Sequence, residues 1–451
     1  MTEDALMADA DRRAAAYIRN AAERRPFPDE AAIAALAAFD TPLPEQGREG
    51  AEMLDLLDRL GSPATVASNG PRYFGFVIGA ALPASAAADR LLLAWDQCAS
   101  SQDTSPVSAA LEKVAAKWVL DILDLPKESA VGFGTSATAS TITCLSAARR
   151  VLLARAGWDF DRDGLAGAPD INVVVSRMSH VTVRKALRLL GFGTARLIEA
   201  ETDQNGRVDP NRLPPLDEST ILILQAGEVN TGEFDPFAAI LPVARKAGAW
   251  VHVDGAFGLW ARASSRRSLT DGIEQANSWT TDGHKWLNTP YDGAMAICRD
   301  AEALAQAMNS DAVYFSAAKD AQKNLTLEFS RRPRGIAIWA ALRTLGRQGV
   351  AKMVDRHCDE AGHLANRLKQ AGFEVLNRVV LNQVLVRCAT DEETMRVRAS
   401  VLNDGAVWFG PTMWEGRPAF RLSLSSWRTS RKEVDLLADV LAKALAISAS
   451  R

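Results

Sequence analysis

A lysine set between a histidine and a tryptophan, in Thr281-Asp282-Gly-His284-Lys285-Trp286, is poorly placed for the solvated role lysine usually has. An amine held out of water loses proton affinity and can condense with an aldehyde to form an imine. The same spacing also suits a partly buried lysine whose tip reaches water. Earlier in the chain, Asp254 ends the run Trp250-Val-His-Val-Asp254 and precedes Gly255-Ala256. A carboxylate at a buried strand end calls for a cationic partner: a metal, an arginine or a protonated ring nitrogen. A structural ion pair is an equal reading there.

Three further segments could do chemistry. Phe133-Gly-Thr-Ser136-Ala137-Thr138-Ala-Ser140 stands just before a helix, where small and hydroxylated residues offer N–H groups and the positive dipole end to a phosphate. It is also an ordinary Ser/Thr cap. Ser179-His180 could lay an imidazole over a planar ligand, although a lone histidine is more often structural. Ala226-Gly-Glu-Val-Asn230-Thr231-Gly232-Glu-Phe-Asp235-Pro236 closes a strand, with Asp235-Pro236 a helix start, and by itself reads as a loop. Each segment is weak alone. Together they supply a phosphate cradle, a stacking ring, a carboxylate for a ring nitrogen and a lysine for an aldehyde, the groups needed to hold pyridoxal phosphate.

These residues must be positioned by an α/β framework. Runs at 171–176, 195–198, 220–225, 250–254 and 294–297 are continuous and apolar, as in strands of a mainly parallel sheet buried on both faces. Helices are expected between them at 107–124, 137–156, 181–191 and 235–248. In open sheets of this kind ligands bind at the carboxyl ends of strands. Residues 1–70 read as a helical segment and 71–340 as the large domain. Residues 341–451 read as a smaller α+β domain with a long helix near 350–371, strands at 383–388 and 420–425, and helices near 392–403 and 430–447.

Bulk properties narrow the partners. The 451 residues exceed what one core holds, and 52 Lys and Arg against 55 Asp and Glu leave a net charge of −3. No basic footprint for nucleic acid or membrane follows from that balance. Residues 1–20 carry no signal pattern, and no apolar stretch is long enough to span a bilayer. Five cysteines without metal spacing suit reduced thiols in the cytoplasm, and no metal site is expected.

With these segments in view, the chain from about Pro71 onward resembles the group II pyridoxal-phosphate decarboxylases, which include aromatic L-amino-acid, tyrosine, glutamate and diaminobutyrate decarboxylases. Asp282-Gly-His284-Lys285-Trp286-Leu-Asn is similar to the cofactor-lysine motif, His252-Val-Asp254-Gly-Ala256 to the family's His-Val-Asp-Ala-Ala, and Ser179-His180-Val-Thr-Val-Arg-Lys185 to the ring-stacking segment. Asn230-Thr231-Gly232, Ser330-Arg-Arg332, Trp339 and Arg421–Thr429 also fit. The resemblance implies fold type I, the pyridoxal-phosphate-dependent transferase fold, with a mainly parallel seven-stranded sheet in its large domain. It also implies a homodimer wrapped by the first 70 residues and decarboxylation of an L-amino acid. Catalytic roles fall to Lys285, His180 and Asp254. Ser136, Ala137, Thr138, Thr231, Ala256, Asp282 and His284 join them around the cofactor.

Two departures stand out. The phosphate loop lacks the family's usual Gly-Gly or Gly-Ser pair. No tyrosine lies between Tyr314 and Ser330, where the aromatic amino-acid enzymes carry the one that reprotonates the α-carbon. An aminotransferase, with Arg421 binding a carboxylate, an aldehyde-forming oxidative decarboxylase and a decayed cofactor-binding protein are therefore the alternatives. Tyr73, Phe74 and Phe76 favour an aromatic substrate if they line the entrance, and simple packing if they do not.

Overall fold

Seven strands form the main sheet of the computed structural model, which describes residues 1–309 and 321–449. They are β1 (Ala130–Gly134), β2 (Asn172–Ser176), β3 (Ile198–Ala200), β4 (Thr220–Gln225), β5 (Trp250–Asp254), β6 (Ser278–Asp282) and β7 (Ala294–Cys298). Their order across the sheet is β1-β7-β6-β5-β4-β2-β3. β7 runs antiparallel to both of its neighbours, and the pairs from β6 through β3 are parallel. β1 and β6 therefore point the same way, and β7 is the one reversed strand.

Every residue of β4, β5, β6 and β7 is buried, which explains the largely apolar runs of β4, β5 and β7. On one face Val173, Val175, Ile221 and Ile223 pack with Leu145, Ala148 and Leu152 of helix Ala137–Arg155 and with Val183 and Leu187 of helix Val181–Leu189. The alternation of strand positions supplies that face at every second residue.

The observed strands depart from the expected set in three places. The run expected at 195–198 is a 3₁₀ turn at Thr194–Arg196, and the strand starts only at Ile198. Gly191 and Gly193, both at positive φ, turn the chain first, so only three residues are left to pair at this sheet edge. β1 escaped notice because it contains two glycines. Gly132 is required by contact, since a Cβ there would meet the Leu325 carbonyl oxygen at 1.8 Å. β6 escaped because Ser278-Trp-Thr-Thr-Asp282 is polar; it is buried because β5 and β7 flank it.

The larger unit comprises residues 81–363 and 376–385, and the smaller 1–80, 364–375 and 386–451. A second sheet contains β8 (Glu374–Val375), β9 (Gln383–Arg387), β10 (Gly410–Trp414) and β11 (Arg417–Ser423), in the order β10-β11-β9-β8. Helices Asp391–Asp404 and Arg431–Ala449 match the expected ones closely, and β8 and β10 are additions. The segment Arg334–Gln370 is two helices that meet at a kink at Gly346, and the second is the long helix expected near 350–371. In the N-terminal segment, helices Glu3–Arg19, Glu30–Ala35 and Gly50–Leu56 contain no buried residue. No helix among the described residues is long and apolar enough to cross a membrane.

Candidate active site

Strand direction brings the chemically capable residues to one edge of the sheet. Ser136, Ala137 and Thr138 follow β1, His180 follows β2 and Thr231 follows β4. Asp254 and Ala256 lie at the end of β5, and Asp282, His284 and Lys285 at the end of β6. All five strands point the same way, so their carboxyl ends share the edge where open α/β sheets bind ligands.

Asp254 stands in register with Gln225 on one side and Thr280 on the other. Its carboxylate, in a residue only 8% exposed, accepts a hydrogen bond from Ala256 N at 3.2 Å. Among the described residues it has no ion-pair partner, so the structural ion pair considered from sequence finds no cation. His252, on the same strand, does not supply one: burial pushes its pKa down to about 4, and the ring is neutral. Its Nδ1 lies 2.9 Å from Ser278 Oγ. Gln225 Nε2 and Thr280 Oγ1, beside Asp254 in the register, are buried without a partner. A water-poor edge with a lone carboxylate and unmet polar atoms fits a ligand that brings a cation and hydrogen-bonding groups.

Asp282 governs the next strand end. It is 2% exposed; its Oδ2 lies 3.3 Å from Lys285 Nζ and 3.7 Å from His284 Nε2, while its Oδ1 has no partner. His284 Nδ1 accepts from Gly293 N at 3.1 Å, so the neutral ring carries its proton on Nε2, toward Asp282. Burial lowers the His284 pKa, with the Asp282 charge opposing. The Tyr291 ring lies against His284, centroids 4.3 Å apart, and burial pushes its phenol up to about 12. The Lys285 side chain is 22% exposed, while Trp286 beside it is fully buried. Asp282 N donates to the Ala256 carbonyl at 2.9 Å, which joins the ends of β5 and β6.

Ser136 caps helix Ala137–Arg155, its Oγ accepting from Ala139 N at 3.3 Å. The N–H groups of Ala137 and Thr138 lie in the first turn, where no intrahelical acceptor exists. The segment is thus a helix cap that still presents donors to an anion. Behind it, buried Arg331 pairs with buried Glu112 and donates to the Phe133 carbonyl at 3.2 Å, fixing the end of β1. His180 caps helix Val181–Leu189: its Nδ1 accepts from Thr182 N at 3.3 Å, which assigns the proton of the neutral ring to Nε2. Thr231 is turned into the scaffold. Its N and Oγ donate to Glu228 Oε2 at 2.7 and 3.0 Å, and its carbonyl accepts from Asn377 Nδ2 at 2.8 Å.

Sequence reasoning passed over Glu112, Gln225 and Glu228, buried polar residues inside elements read as helix, strand or loop, and read Asp235 as a helix start, whereas the helix begins at Phe237 and Asp235 accepts from Val208 N and Gln225 N. Glu112 lies in a helix of mostly apolar residues, the signal that could have found it. Arg421 lies on β11 in the smaller unit, and Tyr314 lies outside the described residues. Phe74 is fully buried and Tyr73 stacks on Trp408 at 4.8 Å, so both pack within the smaller unit, while Phe76 is half exposed. Among the described residues no group of three or more His, Cys, Asp or Glu forms a metal site.

The family described as pyridoxal-dependent decarboxylase conserved domain matches residues 37–389. Among curated relatives, L-2,4-diaminobutyrate decarboxylase of Rhizobium meliloti (strain 1021) is 26% identical over 387 residues, covering 80% of this chain and 75% of that protein. Tryptophan decarboxylase 1 of Oryza sativa subsp. japonica is 30% identical over 314 residues, covering 63% of this chain and 59% of that protein. The crystal structure of Oryza sativa TDC with PLP and tryptamine superposes with a TM-score of 0.90 at 21% identity, covering 99% of each chain.

Proposed function

This chain belongs to the pyridoxal-dependent decarboxylase family, and from that premise we propose roles for its site residues and a substrate class. The chain has fold type I and uses pyridoxal 5'-phosphate to decarboxylate an L-amino acid; neither the aminotransferase nor the aldehyde-forming alternative is favoured. The observation that carries the site assignment is Asp254, a buried carboxylate without a cation, at the same sheet edge as Lys285.

In this reading Ser136, Ala137 and Thr138 hold the phosphate with a hydroxyl and two first-turn N–H groups. Asp254 binds the ring nitrogen and keeps it protonated by charge. His180 and Ala256 would help hold the cofactor ring. Lys285 holds the aldehyde carbon, and Asp282, 3.3 Å from its Nζ, orients the amine and receives or returns its proton. His284 Nε2, 3.7 Å from the same Asp282 oxygen, steadies that carboxylate, and Thr231 shapes the loop after β4. When bound, the cofactor supplies an electron sink conjugated to the substrate α-carbon. The protein's share is to exclude water, fix the ring plane and hold charges where they count.

We also propose an aromatic L-amino acid as substrate, a homodimer as the working assembly and the cytoplasm as its compartment. The tryptophan enzyme among the relatives supports the first. Unburied N-terminal helices that form no core of their own support the second, and five unpaired cysteines the third. The test is borohydride reduction of the holoenzyme with peptide mapping, followed by a panel of L-amino acids scored for CO₂, amine, keto acid and aldehyde. Label on Lys285 and amine from aromatic substrates are expected. Label on another lysine overturns the site, and preference for diaminobutyrate or an acidic substrate overturns the substrate class.

A further inference from the structure

We infer that His357, on the helix that follows the kink at Gly346, is a positioning residue for Lys285 and acts through the indole of Trp286. Trp286 Nε1 donates to His357 Nδ1 at 2.8 Å. Trp286 is fully buried and His357 is 1% exposed, so no water replaces this bond. The two rings lie 6.4 Å apart at 24°, and Phe257 packs on the indole from another direction, with centroids 6.3 Å apart. The acceptor at Nδ1 must be a lone pair, which places the proton of the neutral imidazole on Nε2.

The consequence reaches Lys285 through one peptide bond. After β6 the chain leaves regular structure: Gly283 N and His284 N donate to the Gly293 carbonyl, Thr289 N to the Gly283 carbonyl, and Asn288 N and Nδ2 to the Lys285 and Trp286 carbonyls. These bonds tie the ends of the turn, and none among the described residues is donated by the Lys285 or Trp286 N–H. The side chain of Trp286 enters the interior and is pinned at its far end by His357. The backbone at Lys285 is thereby held with the amine directed at Asp282. A buried indole N–H left without its acceptor would seek another partner and carry Lys285 with it.

The inference rests on Lys285 as the cofactor lysine, which borohydride mapping of the unaltered enzyme tests separately. The experiment compares His357→Leu, His357→Asn, His357→Gln, Trp286→Phe and the double variant Trp286→Phe/His357→Leu. It measures cofactor dissociation by titration of the apoprotein, the visible absorption of the holoenzyme, kcat and KM. Leucine and glutamine should each weaken cofactor binding and lower kcat about tenfold, with KM changed less than about twofold, as for one unmet buried donor. Asparagine, whose Oδ1 falls near the position of Nδ1, should restore both to within about threefold of the parent. The double variant should be no worse than Trp286→Phe, because the donor is already gone. If leucine fails to fold, the asparagine and glutamine pair decides. Normal cofactor affinity and spectrum in the glutamine variant, or losses that multiply in the double variant, would overturn the inference.

Discussion

Buried carboxylates crowd three neighbouring strand ends at the same sheet edge, yet they are treated differently. After β4, Asp235 accepts from Val208 N and Gln225 N, both at 2.7 Å, and Glu233 takes both arms of Arg378 at 2.7 and 2.8 Å. Glu228 accepts from Asn230 N and from Thr231. After β5 and β6, Asp254 has a single donor in Ala256 N, and Asp282 Oδ1 has none. Burial is similar in both places, so burial does not mark the site. A buried acid whose oxygens are all used is scaffold, whereas one left with unused oxygens awaits a ligand, since desolvation without a partner is costly.

The strongest test of this contrast is Asp254→Asn. The amide can reach a ring nitrogen but cannot stabilise its protonated form. Turnover should fall about a hundredfold, with most cofactor retained and the melting temperature nearly unchanged. A large loss of stability with intact turnover would place Asp254 among the scaffold acids.

Asp235→Asn should do the reverse. An amide nitrogen would face one of two backbone N–H donors, costing about 1–3 kcal/mol of stability, while kcat in the folded fraction stays within about threefold. Burial pushes the Asp235 pKa up to about 7, with the two backbone donors opposing. Because this pKa is raised on folding, the stability due to Asp235 is fully present below the unfolded value near 3.8 and declines as pH rises toward about 7. Denaturant titrations of parent and variant should therefore differ most at the acid end and converge toward pH 7.

His252 should give the smallest effect, with the opposite sign. Its folded pKa is depressed from 6.5 to about 4, so its share of stability is present above 6.5 and is lost as pH falls through that window. His252→Gln should flatten this acid-side loss by a few degrees of melting temperature at most. An unchanged slope would mean that another group titrates there.

Much of this was legible in the chain itself. The strand Trp250–Asp254 and helix Ala137–Arg155 followed from apolar runs and caps, because local pattern and tertiary burial agree there. The chemistry of Lys285 and Asp254 was suggested by residue type at strand ends, and the helix cap at Ser136 by its hydroxyls. Other features depended on neighbours distant in sequence. β6 is a strand because β5 and β7 enclose it, not because of its polar residues. Gly132 is fixed by the Leu325 carbonyl, and Trp286 by a histidine 71 positions away. Whether a buried acid is spent or waiting is likewise invisible in composition, since Asp235 and Asp254 both end up buried near a strand end. The sequence by itself determined which groups could do chemistry and the periodicity that buries the sheet. Only the tertiary structure decided which of those groups kept an unused oxygen, because hydrogen-bond satisfaction depends on donors brought in from elsewhere in the fold.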